Sequence, residues 1–362
     1  MQEQNRQWEK SIKLSIEMPW RLLLDKMPKV YFSENINKII EKIDFSKLGE
    51  TVAIKVHFGE KGCRTYINPE IVKKVYDKVT GLGKKAVLAE CNVLYRGSRT
   101  NLKDHLETAK KHGFDFAEID ILDGDIGEKF LGVNVGGISK SARLGKGIER
   151  YDSMIVLTHF KGHMASGYGG AFKNIGVGLA SRAGKLHIHS NVSPFINVEK
   201  CKGCGVCIEN CKNNAIKLIN NKSEIDREKC TRCAVCIAVC PEKAVRIPWG
   251  NSTSEELCKK IVDYSYGIVK SVPNIVYINV LENITEECDC MGIEQEKIVP
   301  DIGILLSSDI VLIDKASLDL VNKKSNGKFN EINSVDKNLQ IDYAFLREMG
   351  EKEYEFIDLD KE

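Results

Sequence analysis

Eight of the 13 cysteines fall in two runs. Cys201, Cys204, Cys207 and Cys211 make the first, and Cys230, Cys233, Cys236 and Cys240 the second, with Pro241 behind it. Each run reads C-x2-C-x2-C-x3-C, the ligand spacing of paired cubane iron–sulfur clusters. Three closely spaced thiolates wrap one cluster, and the fourth ligand comes from the other run. The spacing therefore assigns Cys201, Cys204, Cys207 and Cys240 to one [4Fe-4S] cluster, and Cys230, Cys233, Cys236 and Cys211 to a second. A disulfide framework would suit a small secreted chain, not 362 residues whose opening, MQEQNRQWEK, lacks an apolar signal core. A zinc site would pair two C-x2-C units. The first run ends Cys211-Lys212 instead of Cys-Pro, which is expected to alter the turn and the hydrogen bonding beside one cluster without removing a ligand.

A second stretch carries chemistry of another kind. Residues 158–190 read THFKGHMASGYGGAFKNIGVGLASRAGKLHIHS, with seven glycines and four of the chain's 7 histidines. His159, Lys161 and His163 emerge near the carboxyl end of an expected strand, where open α/β sheets bind ligands. Gly167, Gly169 and Gly170 let the backbone turn tightly and approach a ligand or cofactor closely. A helix is expected from Phe172 to Leu179, with N-terminal amides that favour an anion. A solvated glycine-rich loop is the plainer reading, but the density of glycine, histidine and lysine together favours a site. His163, with an ordinary pKa near about 6.5, suits acid–base work. Lys173 suits binding of a carboxylate or phosphate, or nucleophilic attack if desolvation lowers its pKa. His187 and His189 alternate, so on a strand only one would face the pocket. No G-x-G-x-x-G follows the first strand and no G-x-x-x-x-G-K-[ST] occurs, so nucleotide binding is unsupported.

Further candidates are sparser. Cys288-Asp289-Cys290, alone or with Cys63 or Cys91, could hold an extra metal or act as a redox dithiol; the alternative is a pair of ordinary reduced cysteines in a loop. Lys55, His57, Glu60, Lys61 and Arg64 follow the first strand, and Tyr95, Arg96, Arg99 and Thr100 the second. Converging there, the basic residues would suit a small anionic substrate, or they form a solvated rim. Glu90 and Asn92 could orient a histidine, and Asp301, Asp309 and Asp314 could support the site. Cys258 reads as a small core residue of a helix.

These residues need a scaffold, and the pattern supplies alternating strands and helices. Strands are expected at Thr51–His57, Ala86–Glu90, Phe116–Ile121, Ser153–Thr158 and Asn274–Leu281, with a short one at Ile310–Ile313. Helices are expected at Pro69–Gly81 behind Asn68, at Asn101–His112, at Glu255–Lys270, and from Leu318 to Lys323. Such alternation implies an α/β fold with a mostly parallel sheet covered on both faces. The cysteine block interrupts it. Residues 1–194 and 251–362 are therefore expected to form one discontinuous α/β domain, with residues 195–250 inserted and junctions at Asn191–Val198 and Pro248–Ser254.

Composition bounds the rest. Hydrophobic residues at 43% and charged residues at 29% are ordinary for a globular protein. A formal net charge of +2, without a basic tract or aromatic ladder, gives no support to nucleic-acid binding. No apolar run approaches the length that spans a bilayer. Clusters imply a reducing cytoplasm and a low-oxygen, anaerobic setting.

The cysteine block resembles two-cluster ferredoxins over roughly residues 195–250. The segment KGHMASGYGGAFKNIGVGLASRAGK resembles the signature of the DUF362 family of iron–sulfur proteins, as do Cys288-Asp289-Cys290, Val299–Ile304 and Asp314–Ala316. That family is distantly similar to nickel-pincer lactate racemase. The resemblance implies a racemase-like α/β domain and a pocket in which His163 transfers protons, Lys173 anchors a pyridinium-derived nickel cofactor and His189 ligates nickel. His163, Gly167, Gly169, Gly170 and Lys173 fall at the motif's spacings, but Gly169 stands where the motif has serine, and the second proton-transfer histidine has no clear match beyond His57 or His105. Together these readings point to an iron–sulfur oxidoreductase that takes electrons from a low-potential donor such as ferredoxin or flavodoxin. The alternatives are an electron carrier without catalysis, or a racemase or isomerase with auxiliary clusters.

Overall fold

The structure, a computed structural model, describes residues 27–361. The reading of the first ten residues lies outside the described residues. Eight strands form the main sheet: β1 (Lys29–Ser33), β2 (Thr51–Lys55), β3 (Lys85–Glu90), β4 (Ile119–Ile121), β5 (Ser153–His159), β6 (Asn274–Leu281), β7 (Gly303–Ser307) and β8 (Glu355–Asp358). Their spatial order is β8-β1-β7-β6-β5-β2-β3-β4. Every pairing is parallel except the two made by β7, which runs against both β1 and β6. The mostly parallel sheet expected from the alternation is thus present.

Both faces of this sheet are covered. In β5, Met154 and Val156 face one core while Ile155 and Leu157 face the other, the period-two alternation of a strand. The second core is closed by α1 (Ile36–Glu41), α2 (Pro69–Gly81) and α3 (Leu102–Lys111). The first is closed by α4 (Ala171–Gly176), α5 (Arg182–His189), α6 (Ser254–Ser271), α7 (Ile310–Lys324) and α8 (Leu339–Leu346). Helix α2 starts as its sequence dictates: the Asn68 side chain accepts from Glu70 N and Pro69 takes the first helical position, where its missing N–H costs nothing.

Three expectations are corrected. Ile310–Ile313 is the first turn of α7, not a strand. Asp309 decides this, because its carboxylate accepts from Val311 N at 2.7 Å and Leu312 N at 3.0 Å, a helix N-cap in an apolar run that reads either way. The strand lies earlier, in the fully buried Gly303–Ser307. The helix expected at Phe172–Leu179 spans only Ala171–Gly176. His187 and His189 sit on a helix, which Ser181 caps by accepting from Gly184 N, so the strand alternation does not apply.

The cysteine block stands outside the main sheet. Phe195–Ile196 pairs antiparallel with Val245–Arg246, drawing the two ends of the block together. Between them lie the hairpin Ile216–Ile219/Lys222–Ile225 and two short helices, Val206–Glu209 and Val235–Val239.

Candidate functional site

The carboxyl ends of the parallel strands β2, β3, β5 and β6 are followed by the residues that line one cavity of about 660 Å³. That volume suits a small-molecule ligand. His57 follows β2, Cys91 follows β3, Lys161 and His163 follow β5, and Cys288 and Cys290 follow β6. Lys173 comes from α4 and His189 from the last turn of α5. The structure therefore brings His163, Lys173, His189, Cys288 and Cys290 to one place.

The centre of this cavity is a charge pair. Lys173 Nζ lies 3.3 Å from Cys288 Sγ. The neighbouring Cys290 thiol holds the Cys288 pKa well below the ordinary thiol value, against burial and with help from Lys173 and Lys161. Cys290, sharing its proton with that thiolate, is correspondingly raised. Burial pushes the Lys173 ammonium down, but the two sulfurs outweigh it and leave its pKa above the ordinary value. Lys173 is therefore cationic, and the condition for a nucleophilic amine, a pKa lowered by desolvation, is not met. Asp289, between the cysteines, turns elsewhere: its carboxylate meets His159 Nδ1 at 2.9 Å and Lys161 Nζ at 3.1 Å. Cys63 lies 3.9 Å from the same carboxylate, and Cys91 donates instead to Leu179 O, so neither joins the Cys288–Cys290 pair.

The histidines are held neutral. Burial, with Lys173 beside it, pushes the His163 pKa well below its ordinary value. Its Nδ1 accepts from Ala165 N at 3.2 Å and Ser166 N at 3.1 Å, and backbone amides can only donate. The proton of the neutral ring thus sits on Nε2. In that state His163 presents Nε2–H as a hydrogen-bond donor, the arrangement that polarises a developing oxyanion. His189 is lowered to about 3 by burial and by Lys173, Lys185 and Lys260. Its ring meets Trp249 edge-on at 5.1 Å. His57 also lines the cavity, with its pKa lowered by burial and by Arg99, whereas His105 is buried elsewhere against Phe58. His187 faces away, its Nδ1 3.0 Å from Tyr264 Oη.

The glycines divide. Gly169 and Gly170 line the cavity, but Gly167, at φ +79°, lies against Lys337 and Val335 outside it. Gly170 is needed because a Cβ there would run into the Asp314 carboxylate. That carboxylate accepts from Ala171 N at 2.7 Å and Phe172 N at 3.1 Å. The anion expected at this helix N-terminus is thus the protein's own Asp314, whose pKa burial raises to about 6.

The rim is basic where the loops after β2 and β3 meet. Lys61 and Arg96 line it, Arg99 is 1% exposed and paired with Glu60 at 3.4 Å, and Arg64 points outward to Glu294. Beneath the cavity Lys55 Nζ meets Glu90 Oε1 at 3.1 Å and Asn174 Oδ1 at 2.7 Å, and burial lowers its pKa to about 8. Asn92 is spent on Asp123, Asp309 on the α7 cap, and Asp301 on Asn283 N and Lys297. The sequence reading missed Arg182. This buried side chain donates to Ile126 O at 2.7 Å, to Leu94 O at 3.0 Å and to Thr100 O, and so ties the cavity's rim loop to α5. Its place inside the glycine-rich segment was the available signal.

In the cysteine block, Cys201, Cys204, Cys207 and Cys240 line one small cavity, and Cys211, Cys230, Cys233 and Cys236 line another. Among the described residues no three His, Cys, Asp or Glu side chains converge on a single ion. The two halves share a backbone. Gly203 and Arg232, Gly205 and Ala234, and Asn214 and Lys243 occupy equivalent positions, all at positive φ. Ala215 N donates to Cys211 Sγ at 3.3 Å, and Ala244 N to Cys240 Sγ at 3.2 Å. The expected change of turn and hydrogen bonding at Cys211-Lys212 is therefore absent. Leu94 packs into the apolar core that holds these cysteines and also lines the main cavity.

A family model described as "Domain of unknown function (DUF362)" matches residues 52–319. No curated protein matches the chain. Among solved structures, the lactate racemase apoprotein from Thermoanaerobacterium thermosaccharolyticum is similar at 12% identity and a TM-score of 0.36, over 70% of this chain and 50% of that one. A protein from Thermotoga maritima is similar at 11% identity and a TM-score of 0.40, over 80% of this chain and 56% of that one. The chain thus spans about half the length of each. Among the described residues no helix is long and apolar enough to cross a membrane.

Proposed function

The chain belongs to the DUF362 family, and we propose that it is an iron–sulfur oxidoreductase whose residues 195–250 relay electrons to a small substrate in the 660 Å³ cavity. The observation that carries this reading is the shared wall: Leu94 belongs both to the core around the cluster cysteines and to the lining of the cavity.

The donor sets fit two cubanes. Each cubane iron takes its own thiolate, so four ligands surround a volume instead of meeting at one point. Each cysteine quartet lines one small cavity, which supports the reading. Backbone N–H groups aimed at Cys211 and Cys240 would tune the potentials of such clusters. When bound, the clusters supply single electrons at low potential. The donor is expected to be a ferredoxin or flavodoxin, and the setting a reducing, low-oxygen cytoplasm.

The chain's own residues do the rest. Lys173 supplies fixed positive charge beside the Cys288 sulfur, and His163 offers Nε2–H to a developing negative oxygen or sulfur. Lys61 and Arg96 favour an anionic substrate at the mouth. A pyridinium–nickel group fits these residues poorly, because Lys173, its expected anchor, is engaged by the Cys288 sulfur. We assign no step to it.

The test is reoxidation of the reduced clusters in anaerobically purified protein, screened against small anionic oxidants. A true substrate reoxidises the wild type quickly, and the His163→Gln and Lys173→Met variants slowly despite full iron content. Equal rates in all three for every oxidant would make the protein a carrier and defeat the proposal.

A further inference from the structure

We propose that Cys288 and Cys290 are an attacking and a resolving thiol that together cleave the sulfur–sulfur bond of a small anionic disulfide in the main cavity. The proposal rests on the oxidoreductase reading only for the electrons that return the pair to its starting state.

Four observations carry it. Both side chains line the cavity, and neither is held in a disulfide. Cys288 Sγ has the Lys173 ammonium at 3.3 Å, the setting that makes a thiol an anion and a nucleophile. The intervening Asp289 is pinned away by His159 and Lys161, and so does not compete for Lys173. The backbone is braced on both sides: Met291 N donates to Cys288 O at 3.0 Å, and Tyr95 Oη donates to Cys290 O at 2.9 Å. Lys173 Nζ lies against Cys288 Sγ, and Cys290 is the thiol that hydrogen-bonds to that sulfur, so the pair divides the roles of attack and resolution.

Size and charge define the substrate class. Cys288 is only 2% exposed, so a disulfide on a folded protein cannot reach it, whereas a small molecule inside the cavity can. Lys61 and Arg96, on the cavity's lining, favour carboxylate groups on that molecule.

The steps balance. The Cys288 thiolate attacks one sulfur of R–S–S–R′, forming a mixed disulfide with R and expelling R′–S⁻. The Cys290 proton passes to that leaving thiolate, giving R′–SH. The Cys290 sulfur then attacks Cys288 Sγ and expels R–S⁻, leaving a Cys288–Cys290 disulfide. Two electrons, delivered singly from a low-potential donor by way of the cluster module, and one proton restore the thiolate and thiol. The substrate disulfide is reduced, and the donor is oxidised. The pair thus converts one-electron delivery into two-electron chemistry.

The test uses anaerobic, cluster-loaded protein and 3,3′-dithiodipropionate, a small dianionic disulfide, with peptide mapping by mass spectrometry. The wild type is expected to release both thiols and to carry a Cys288–Cys290 disulfide. Cys290→Ser should release one thiol and keep a mixed disulfide on Cys288. Cys288→Ser, with unchanged iron content, should release none from this peptide. Thiol release by Cys288→Ser at the wild-type rate, or an adduct on Cys290 in place of Cys288, overturns the proposal. Reduced methyl viologen then separates the two readings. If the internal disulfide forms but cluster reduction does not reopen it, the electron relay fails and the thiol pair stands. If no disulfide forms in protein whose clusters reduce normally, the thiol pair fails and the relay is untouched.

Discussion

Replacing Lys173 by methionine should raise the pKa of Cys288 while leaving the cavity's shape nearly unchanged. The ammonium lies 3.3 Å from the sulfur. At an effective dielectric constant of about 20, a unit charge at that distance is worth about 5 kcal/mol, which is the ceiling. The loss will be smaller, because Cys290 still donates to the sulfur and Lys161 still adds positive charge, while Asp289 opposes both. A shift of about 1–3 pKa units is the reasonable magnitude for one adjacent cation. The sign follows from the charge: a cation favours the thiolate, so its removal raises the pKa. The assay is the pH dependence of iodoacetamide alkylation at Cys288, followed peptide by peptide under anaerobic conditions. Wild type should react at full rate well below the pH at which an ordinary thiol does, and Lys173→Met should move the midpoint upward. Lys173→Arg, which keeps the charge, should largely preserve it. An unchanged midpoint in the methionine variant would refute the assignment of Lys173 as the counter-ion.

Other consequences are as concrete. Asp314→Ala strands the N–H groups of Ala171 and Phe172 and removes one of the acceptors of the Asn279 amide, which keeps Ser317 Oγ, so urea unfolding should show a loss of about 3 kcal/mol and a loosened Lys173. Burial depresses the pKa of His57, His105, His163 and His189, so below about pH 6.5 the unfolded chain binds protons the native state refuses. Stability should then fall with decreasing pH by about 1.4 kcal/mol per pH unit for each such histidine, measured by urea unfolding between neutral and mildly acidic pH. Among the described residues His105 has no hydrogen-bond partner at either ring nitrogen, so His105→Phe should cost little at neutral pH and flatten that slope by one proton; an unchanged slope would show that His105 titrates in the folded state. Arg182→Lys keeps a charge but cannot donate to Leu94 O, Ile126 O and Thr100 O at once, and should raise KM more than it lowers kcat.

Much of this molecule is written locally. The helix behind Asn68-Pro69 and the strand Asn274–Leu281 carry their own caps and periodicity, and they form where the pattern put them. The cysteine runs repeat a fixed spacing, and the two quartets it suggests line two separate cavities. The misreadings arose where distant partners decide. Ile310–Ile313 is apolar enough for a strand until Asp309 is seen to cap it. The amides of α4 looked open to a ligand, because nothing in the sequence places Asp314 against them. The residue type of His163 sets its ordinary pKa, but only the fold aims two backbone amides at Nδ1. Lys173 and Cys288 are more than a hundred residues apart, and their pairing is a property of the sheet order.

The most direct measurement is an iron and acid-labile sulfide count on anaerobically purified protein, joined to electron paramagnetic resonance before and after reduction with dithionite. The account predicts about eight irons and eight sulfides per chain and the signals of two reduced, magnetically interacting cubanes. Cys204→Ser and Cys233→Ser should each remove one set of signals. Protein that folds fully without iron, or that carries zinc at these cysteines and stays silent on reduction, would contradict it.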